Sequence, residues 1–342
     1  MSYKISRTLR ASALAGLLAL VSACAASASA GQTTSGGSSS GPVLNFGDQQ
    51  QEFQTLLQAS GALKGASYQV NFVEFDSGPL VDAGFAAHRI DVGFMGDLPA
   101  TLAAKAKLPV VAAGVYDPIG ADEFLLAKPG ITSISQLRGK PVAYTTGTAE
   151  QAFALRALKT AGLSQQDVKQ VNVSLLQLGT VLQSGAADAS VVSAEQKVDY
   201  QQTHPGAKVL ANQDTVQPPS YDYLLATKTA LASKTKLADI DNLTERLIKA
   251  ENWEKTHQSQ WVTDYYVNVE HQTPALAKLI LAAGGTANFV PITASVQAAL
   301  QNVVTLLAGA KAIPASYSVA PLFSAAESSR YNATVKETPQ HG

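Results

Sequence analysis

Short β-forming runs, roughly four to eight residues long, alternate along this chain with helical patterns, and that rhythm restricts the fold more than any other feature. Strands are expected at 43–47, 68–75, 90–95 and 109–116, with helical stretches at 52–59, 78–88 and 99–107 between them. A second block repeats the pattern, with strands at 123–128, 142–145, 171–175 and 189–192 and helices at 149–161, 180–184 and 194–202. A short helix and turn fits 135–140, and a last strand fits 221–227, behind the breaker Pro218-Pro219. Such alternation indicates βα units on a mostly parallel sheet. The remainder (237–269, 274–283 and 294–308) is helical in pattern. Two α/β blocks with crossovers near 116–122 and 220–223 predict a hinged clamshell, although one large doubly wound sheet would have the same periodicity.

The first 41 residues are of a different kind. Lys4, Arg7 and Arg10 precede an apolar run at 11–21 that is too short to span a bilayer, the design of a signal peptide over residues 1–23. Val21-Ser22-Ala23-Cys24 resembles a bacterial lipobox, which predicts lipidation of Cys24, the one cysteine of the chain. Ala28-Ser29-Ala30 offers an alternative A-x-A cleavage site. Residues 32–41, QTTSGGSSSG, form a flexible spacer. With one cysteine no disulfide closes within the chain. The net charge of −1 and the absence of a basic stripe argue against nucleic acid.

In open α/β sheets ligands sit beyond the carboxyl ends of the strands. That rule selects the loops 47–51, 76–79, 96–99, 145–150 and 193–196. Thr145-Thr146-Gly147-Thr148 opens a long helix, so its backbone N–H groups could hold oxygens of an anion; its hydroxyls could equally cap the helix, with Glu150 serving the dipole. Ser77-Gly78-Pro79 and Gly96-Asp97 carry the same two readings, capping or ligand contact. The spacing of a P-loop is missing, as are H-E-x-x-H, C-x-x-C, G-x-S-x-G and G-x-G-x-x-G. The five histidines are scattered, no metal site or cofactor is indicated, and carboxylates at Asp48, Asp97, Glu195 and Asp222 are the remaining candidates for acid/base work. Trp253 and Trp261 lie eight apart on one expected helix, which suits packing.

The run FDSGPLVDAGFAAHRIDVGFMGDLP (75–99) resembles substrate-binding proteins of the aliphatic sulfonate, taurine and nitrate ABC importers. Their pattern is a phenylalanine, a small-residue-Gly-Pro turn, a helix, G-x-I-D-x-G and then G-D-x-P. ITSISQLRGKPVAYTTGT (131–148), ALKTAGLSQQDV (157–168) and the region from Trp253 to Trp261 fit the same family in order. The resemblance implies a two-lobe periplasmic-binding-protein clamshell of type II, each lobe a mixed sheet flanked by helices, with a helical C-terminal region. It implies lobe I at 42–118 and 222–342, lobe II at 119–221, and a lipid-anchored linker at 24–41. It also implies transport rather than catalysis: an exported, monomeric lipoprotein at the periplasm or outer face of the cell membrane, delivering solute to ABC permease subunits.

Carried over position by position, the expected ligand-facing residues are Gln49, Ser77, Gly78, Gly96, Asp97, Thr145, Thr146, Gly147 and Thr148, with Ser193 and Glu195 added from the loop rule and Asp222 as a further candidate carboxylate. Where many relatives carry an aromatic-Asp-Pro run, this chain has Val192-Ser193-Ala194-Glu195, which separates its second lobe from theirs. The candidate loops hold acids and hydroxyls but almost no lysine or arginine. A sulfonate would then rest on backbone N–H groups while a carboxylate takes an amine, as in taurine. The competing expectation is an exported enzyme or sensor on the same fold, of the pyrimidine-precursor or dehydratase type.

Overall fold

The computed structural model describes residues 41–119 and 123–340. The expected signal peptide, Cys24 and all but the last residue of the spacer lie outside them. The described chain begins with four strands, β1 (Val43–Gln49), β2 (Gln69–Phe75), β3 (Val92–Met95) and β4 (Val110–Ile119). Five follow across the middle: β5 (Phe124–Ala127), β6 (Pro141–Ala143), β7 (Lys169–Val171), β8 (Ala189–Val192) and β9 (Lys208–Asn212). β10 (Asp222–Thr227) and β11 (Thr286–Phe289) complete the set. They make a six-stranded sheet in the order β11-β4-β10-β3-β1-β2 and a five-stranded sheet in the order β7-β6-β8-β5-β9. The chain therefore enters the second sheet between β4 and β5 and returns to the first between β9 and β10.

Between the strands run helices α1 (Glu52–Ala59), α2 (Gly78–Ala86), α3 (Asp97–Lys105), α4 (Ala149–Thr160), α5 (Leu178–Gln183) and α6 (Ala194–Thr203). After β10 come α7 (Lys228–Ala232), α8 (Lys234–Thr256), α9 (Gln258–Trp261), α10 (Pro274–Ala283), α11 (Ala294–Gly309) and α12 (Ala325–Glu337). No described helix is long and apolar enough to cross a membrane.

The apolar runs at the sheet centres behave as buried strands should. All four residues of β3, β5 and β8 are buried, because each strand has a neighbour on both sides and helices over both faces. Direction is a different matter. Both sheets are mixed rather than mostly parallel: β1 runs parallel to β2 and β3, whereas β10 runs antiparallel to β3 and β4. β5 likewise runs antiparallel to β8 and β9. Hydrophobic periodicity reports which faces are buried and carries no information on strand direction, which is set by the side from which the chain returns.

The expectations fail where burial is one-sided. β9 and β11 are edge strands without an alternating signal, and β7, another edge, lies at 169–171 rather than 171–175. The continuous helix expected over 237–269 breaks at His257 and ends in a π-helical turn, Val262–Val267. One such turn widens the helix and re-aims its side chains. α12 has no counterpart among the expected elements, yet it anchors β4. The Tyr331 hydroxyl accepts the Val115 N–H at 3.1 Å and lies 2.8 Å from the Val115 carbonyl, which accepts from it.

One seam links the two sheets' helices. Leu98 of α3 and Val303 and Leu307 of α11 pack on Ala152 and Leu155 of α4, all buried. α4 thus lies against helices of the six-stranded sheet although it follows a strand of the five-stranded one.

Candidate ligand-binding site

The carboxyl ends of β1, β3 and β8 and the starts of the antiparallel β5 and β10 converge on a cavity of about 290 Å³ lined by residues of both sheets. The first wall comes from the turn after β1. Asp48 is fully buried, and its two oxygens accept the N–H groups of Gln49 (2.9 Å), Phe53 (3.3 Å) and Gln54 (2.7 Å), which closes the start of α1. Gln49 lines the cavity with its side-chain amide donating to the Phe94 carbonyl at 2.9 Å. Phe53 and Phe94 follow, their rings edge to face at 4.4 Å.

Gly78 and Gly96 line the cavity and also let elements approach each other closely. A Cβ on Gly96 would stand 2.7 Å from the Ala149 Cβ at the start of α4, and one on Gly78 would stand 2.4 Å from the Pro99 ring. Gly78→Ala is accordingly expected to overpack α2 against α3 and to lower stability by about 1–3 kcal/mol; an unchanged urea midpoint would contradict this. Ser77, the N-cap residue of α2, lies outside the cavity lining and its side chain makes no cap bond.

Asp97 does not line the cavity. Its carboxylate forms an ion pair with Arg156 of α4, both side chains 2% exposed, and accepts the Ser220 hydroxyl at 2.9 Å. It therefore ties α3 to α4 and to the connection that leads into β10.

The loop 145–148 is engaged largely with itself and its neighbours. The Thr145 hydroxyl donates to the Val173 carbonyl (2.8 Å), and the Thr146 N–H donates to Asn172 Oδ1 (2.8 Å). Gly147, at φ +85°, donates its N–H to Gln151 Oε1 (2.9 Å), and the Thr148 hydroxyl donates to the Thr145 carbonyl (2.9 Å). Two of the N–H groups expected to hold an anion thus already have partners. Of the four residues only Thr148 lines the cavity.

The far wall is α6 and the segment after the π-helical turn. Ser193 caps α6, its hydroxyl accepting the Gln196 N–H at 3.2 Å. Glu195 lines the cavity, accepts from the Gln272 amide and stands beside Glu270. Asp222 opens β10 at the cavity edge. The structure therefore gathers Gln49, Gly78, Gly96, Thr148, Ser193, Glu195 and Asp222 around one space and leaves Ser77, Asp97, Thr145, Thr146 and Gly147 behind it.

The residues that sequence reasoning missed here are mainly acidic and aromatic: Glu52, Glu123 and Glu270, with Tyr265 and Tyr266, while Glu150, expected only to serve the helix dipole, lines the cavity as well. Tyr265 and Tyr266 come from the π-helical turn and Glu270 lies just beyond it, so a regular helical projection misplaces them. Glu123 directly precedes β5 and carries no local motif. With Asp48, Glu195 and Asp222, seven carboxylates line the cavity, and no lysine, arginine or histidine does among the described residues. Burial, then Glu150 and Asp97, push the Glu123 carboxyl well up, opposed by Arg156 and the Gln213 amide. Lys197, the buried lysine of α6, sits 3.5 Å from the Phe124 ring centroid and donates to the Ala283 carbonyl instead.

Burial raises Asp48 from 3.8 to about 7 against three backbone N–H bonds, and raises Glu195 from 4.5 to about 7 with Glu270 adding to it. A carboxyl whose folded pKa exceeds its unfolded value contributes stability below the unfolded value and loses it as pH rises through the folded one. The ligand-free protein is thus expected to lose stability between the ordinary carboxylate range and about pH 7. Glu195→Gln should flatten that loss in urea midpoints taken at roughly pH 5 and 8; an identical slope in the variant would remove Glu195 from the account.

Two mixed sheets flanked by helices, with a cavity at converging strand ends, define a periplasmic-binding-protein fold. Residues 64–246, more than half of the chain, match the NMT1/THI5 like family model. The chain belongs to that family. It is 30% identical over 156 residues to a putative aliphatic sulfonates-binding protein of Escherichia coli, covering 44% of this chain and 49% of the relative. It is 27% identical over 140 residues to the taurine-binding periplasmic protein of the same organism, covering 41% and 42%. The matches thus span about half the length of these curated relatives or less. In fold, it is similar to the periplasmic aliphatic sulphonate binding protein SsuA from Escherichia coli (TM-score 0.73, 22% identity, 83% of this chain and 92% of that one). The alkanesulfonate-binding protein SsuA from Xanthomonas axonopodis, bound to MOPS, is similar to the same degree (0.74, 21%, 83% and 98%). The desulfurization enzyme DSZB shares the fold at 13% identity (0.61, 86% and 99%).

Proposed function

We propose that this chain is the extracytoplasmic solute-binding component of an ABC importer, holding a small charged organic solute in the cavity and delivering it to permease subunits. The observation that carries the reading is the cavity itself, built from strand ends and helix starts of both sheets, where ligands of open α/β folds sit. Residues 1–23 would direct export, and Cys24 with the spacer to residue 41 would tether the body. Residues 42–118 and 222–342 would form one lobe and 119–221 the other, with closure selected by the ligand.

The relatives' names support a sulfonate as the solute class. An alkanesulfonate with no other charge fits the seven lining carboxylates poorly; an aminosulfonate such as taurine fits better, its amine meeting a carboxylate. The test is a melting series of the purified body with alkanesulfonates, taurine, nitrate and amines. A ligand at a hundredfold excess over its dissociation constant should stabilise the fold by about 2.7 kcal/mol. Conversion of a bound solute to product by the purified protein would replace the receptor reading with the enzymatic one.

A further inference from the structure

The cavity's charge and its aromatic lining point to a more definite ligand. Resting on the receptor reading above, we propose that the solute is an organic cation, an amine or amidine, whose positive nitrogen is held at Glu123 and which needs no acidic group to bind.

Three observations carry this. Glu123 lines the cavity and is only 7% exposed; Gln213 donates to its Oε2 at 3.1 Å, while its Oε1, buried, has no hydrogen-bond partner. An orphaned, buried carboxylate oxygen costs free energy until a donor reaches it, and an ammonium or amidinium group supplies the donor and the charge together. Next, the lining around it is acidic: Glu150 and Asp222 line the same space, no lysine, arginine or histidine does among the described residues, and Arg156 is buried in its pair with Asp97. An added sulfonate would meet no cationic side chain among the described lining residues, and the Thr146 and Gly147 N–H groups are already engaged. Finally, Phe53, Phe94, Tyr265 and Tyr266 line the cavity as well, and Tyr265 is held in place by stacking on Trp261 at 4.7 Å. Aromatic rings beside carboxylates suit an organic cation.

The cation's arrival also has a proton consequence. Glu123 faces Glu150, Asp97, Arg156 and Gln213, and Glu195 faces Glu270, Asp199 and Gln272; in both, burial favours the protonated carboxyl before a ligand is present. A cation favours the ionised form, so binding releases protons.

The experiment is calorimetry of the intact body against matched probes: putrescine and agmatine as acid-free cations, ethylamine against taurine to isolate the sulfonate, and ethanesulfonate as the bare anion. At least one acid-free cation should bind, taurine should bind no tighter than ethylamine, and ethanesulfonate should not bind. Repeating the titration near pH 6 in buffers of different ionisation enthalpy should show proton release. Glu123→Gln should weaken the bound cation about tenfold or more while the unliganded variant keeps a melting point at or above that of the wild type, since an uncompensated buried acid has been removed. Binding of taurine or ethanesulfonate with none of the cations overturns the proposal and leaves the receptor reading standing. So does cation binding that Glu123→Gln leaves unchanged. Turnover of any probe would count against the receptor reading instead.

Discussion

Replacing Asp97 with Ala is expected to destabilise the protein by about 3–5 kcal/mol, because it leaves the Arg156 guanidinium buried without its counter-charge. As a helix cap alone, Asp97 would account for roughly 0.5–2 kcal/mol. The larger value follows from position: the ion pair is almost fully shielded from water and accepts one further bond, from Ser220. Removing one partner of such a pair is far more damaging than removing both. Asp97→Ala combined with Arg156→Met should therefore recover most of the loss, and urea denaturation of the two single variants and the double variant measures the coupling. A loss below about 2 kcal/mol for Asp97→Ala, with no recovery in the double variant, would reduce the carboxylate to a cap. The pair also lies on the α3–α4 seam, beside Leu98 and Leu155, so these variants report on what holds helices of the two sheets together.

The second large effect is expected at Phe53, where Ala should cost about 3–5 kcal/mol. The ring is 1% exposed and meets Phe46, Phe94 and Tyr116 edge to face at 6.0, 4.4 and 6.0 Å. Tyr116 in turn packs on Phe289 of β11 and donates its hydroxyl to Glu251 of α8. Deleting Phe53 opens a hole that this network, pinned by a hydrogen bond at its far end, has little freedom to fill. Because Phe53 also lines the cavity, the variant should also weaken solute binding. Thermal and urea unfolding of the ligand-free variant separate the two effects from titration at a temperature where it is fully folded. A small stability loss would mean that the aromatic cluster collapses into the hole.

How much of this was legible beforehand depends on the range of the interaction. Ile90 to Met95 announces a buried strand, and Gly96-Asp97 its end, since strand, turn and helix start are written within ten residues of each other. The binding-protein fold was legible in the same way, through several local patterns in order. The role of Asp97 was not, because its partner lies 59 positions away on another helix. The Thr145–Thr148 loop illustrates a nearer miss. Its N–H groups look free in sequence, but Gln151, one turn later, and Asn172, on another strand's exit, take two of them. Gln151 could have been foreseen from its spacing; Asn172 could not.

The sequence by itself determined the α/β class, the buried central strands, the helix starts and the loops from which a site could be built, because hydrophobic period and capping chemistry act between residues a few positions apart. The tertiary structure alone decided the strand directions, the pairing of Asp97 with Arg156, and the gathering of seven carboxylates and four aromatic rings around one cavity. Those outcomes depend on which distant elements meet and on which polar groups lose their water when they do, and neither quantity is written in any local stretch of chain.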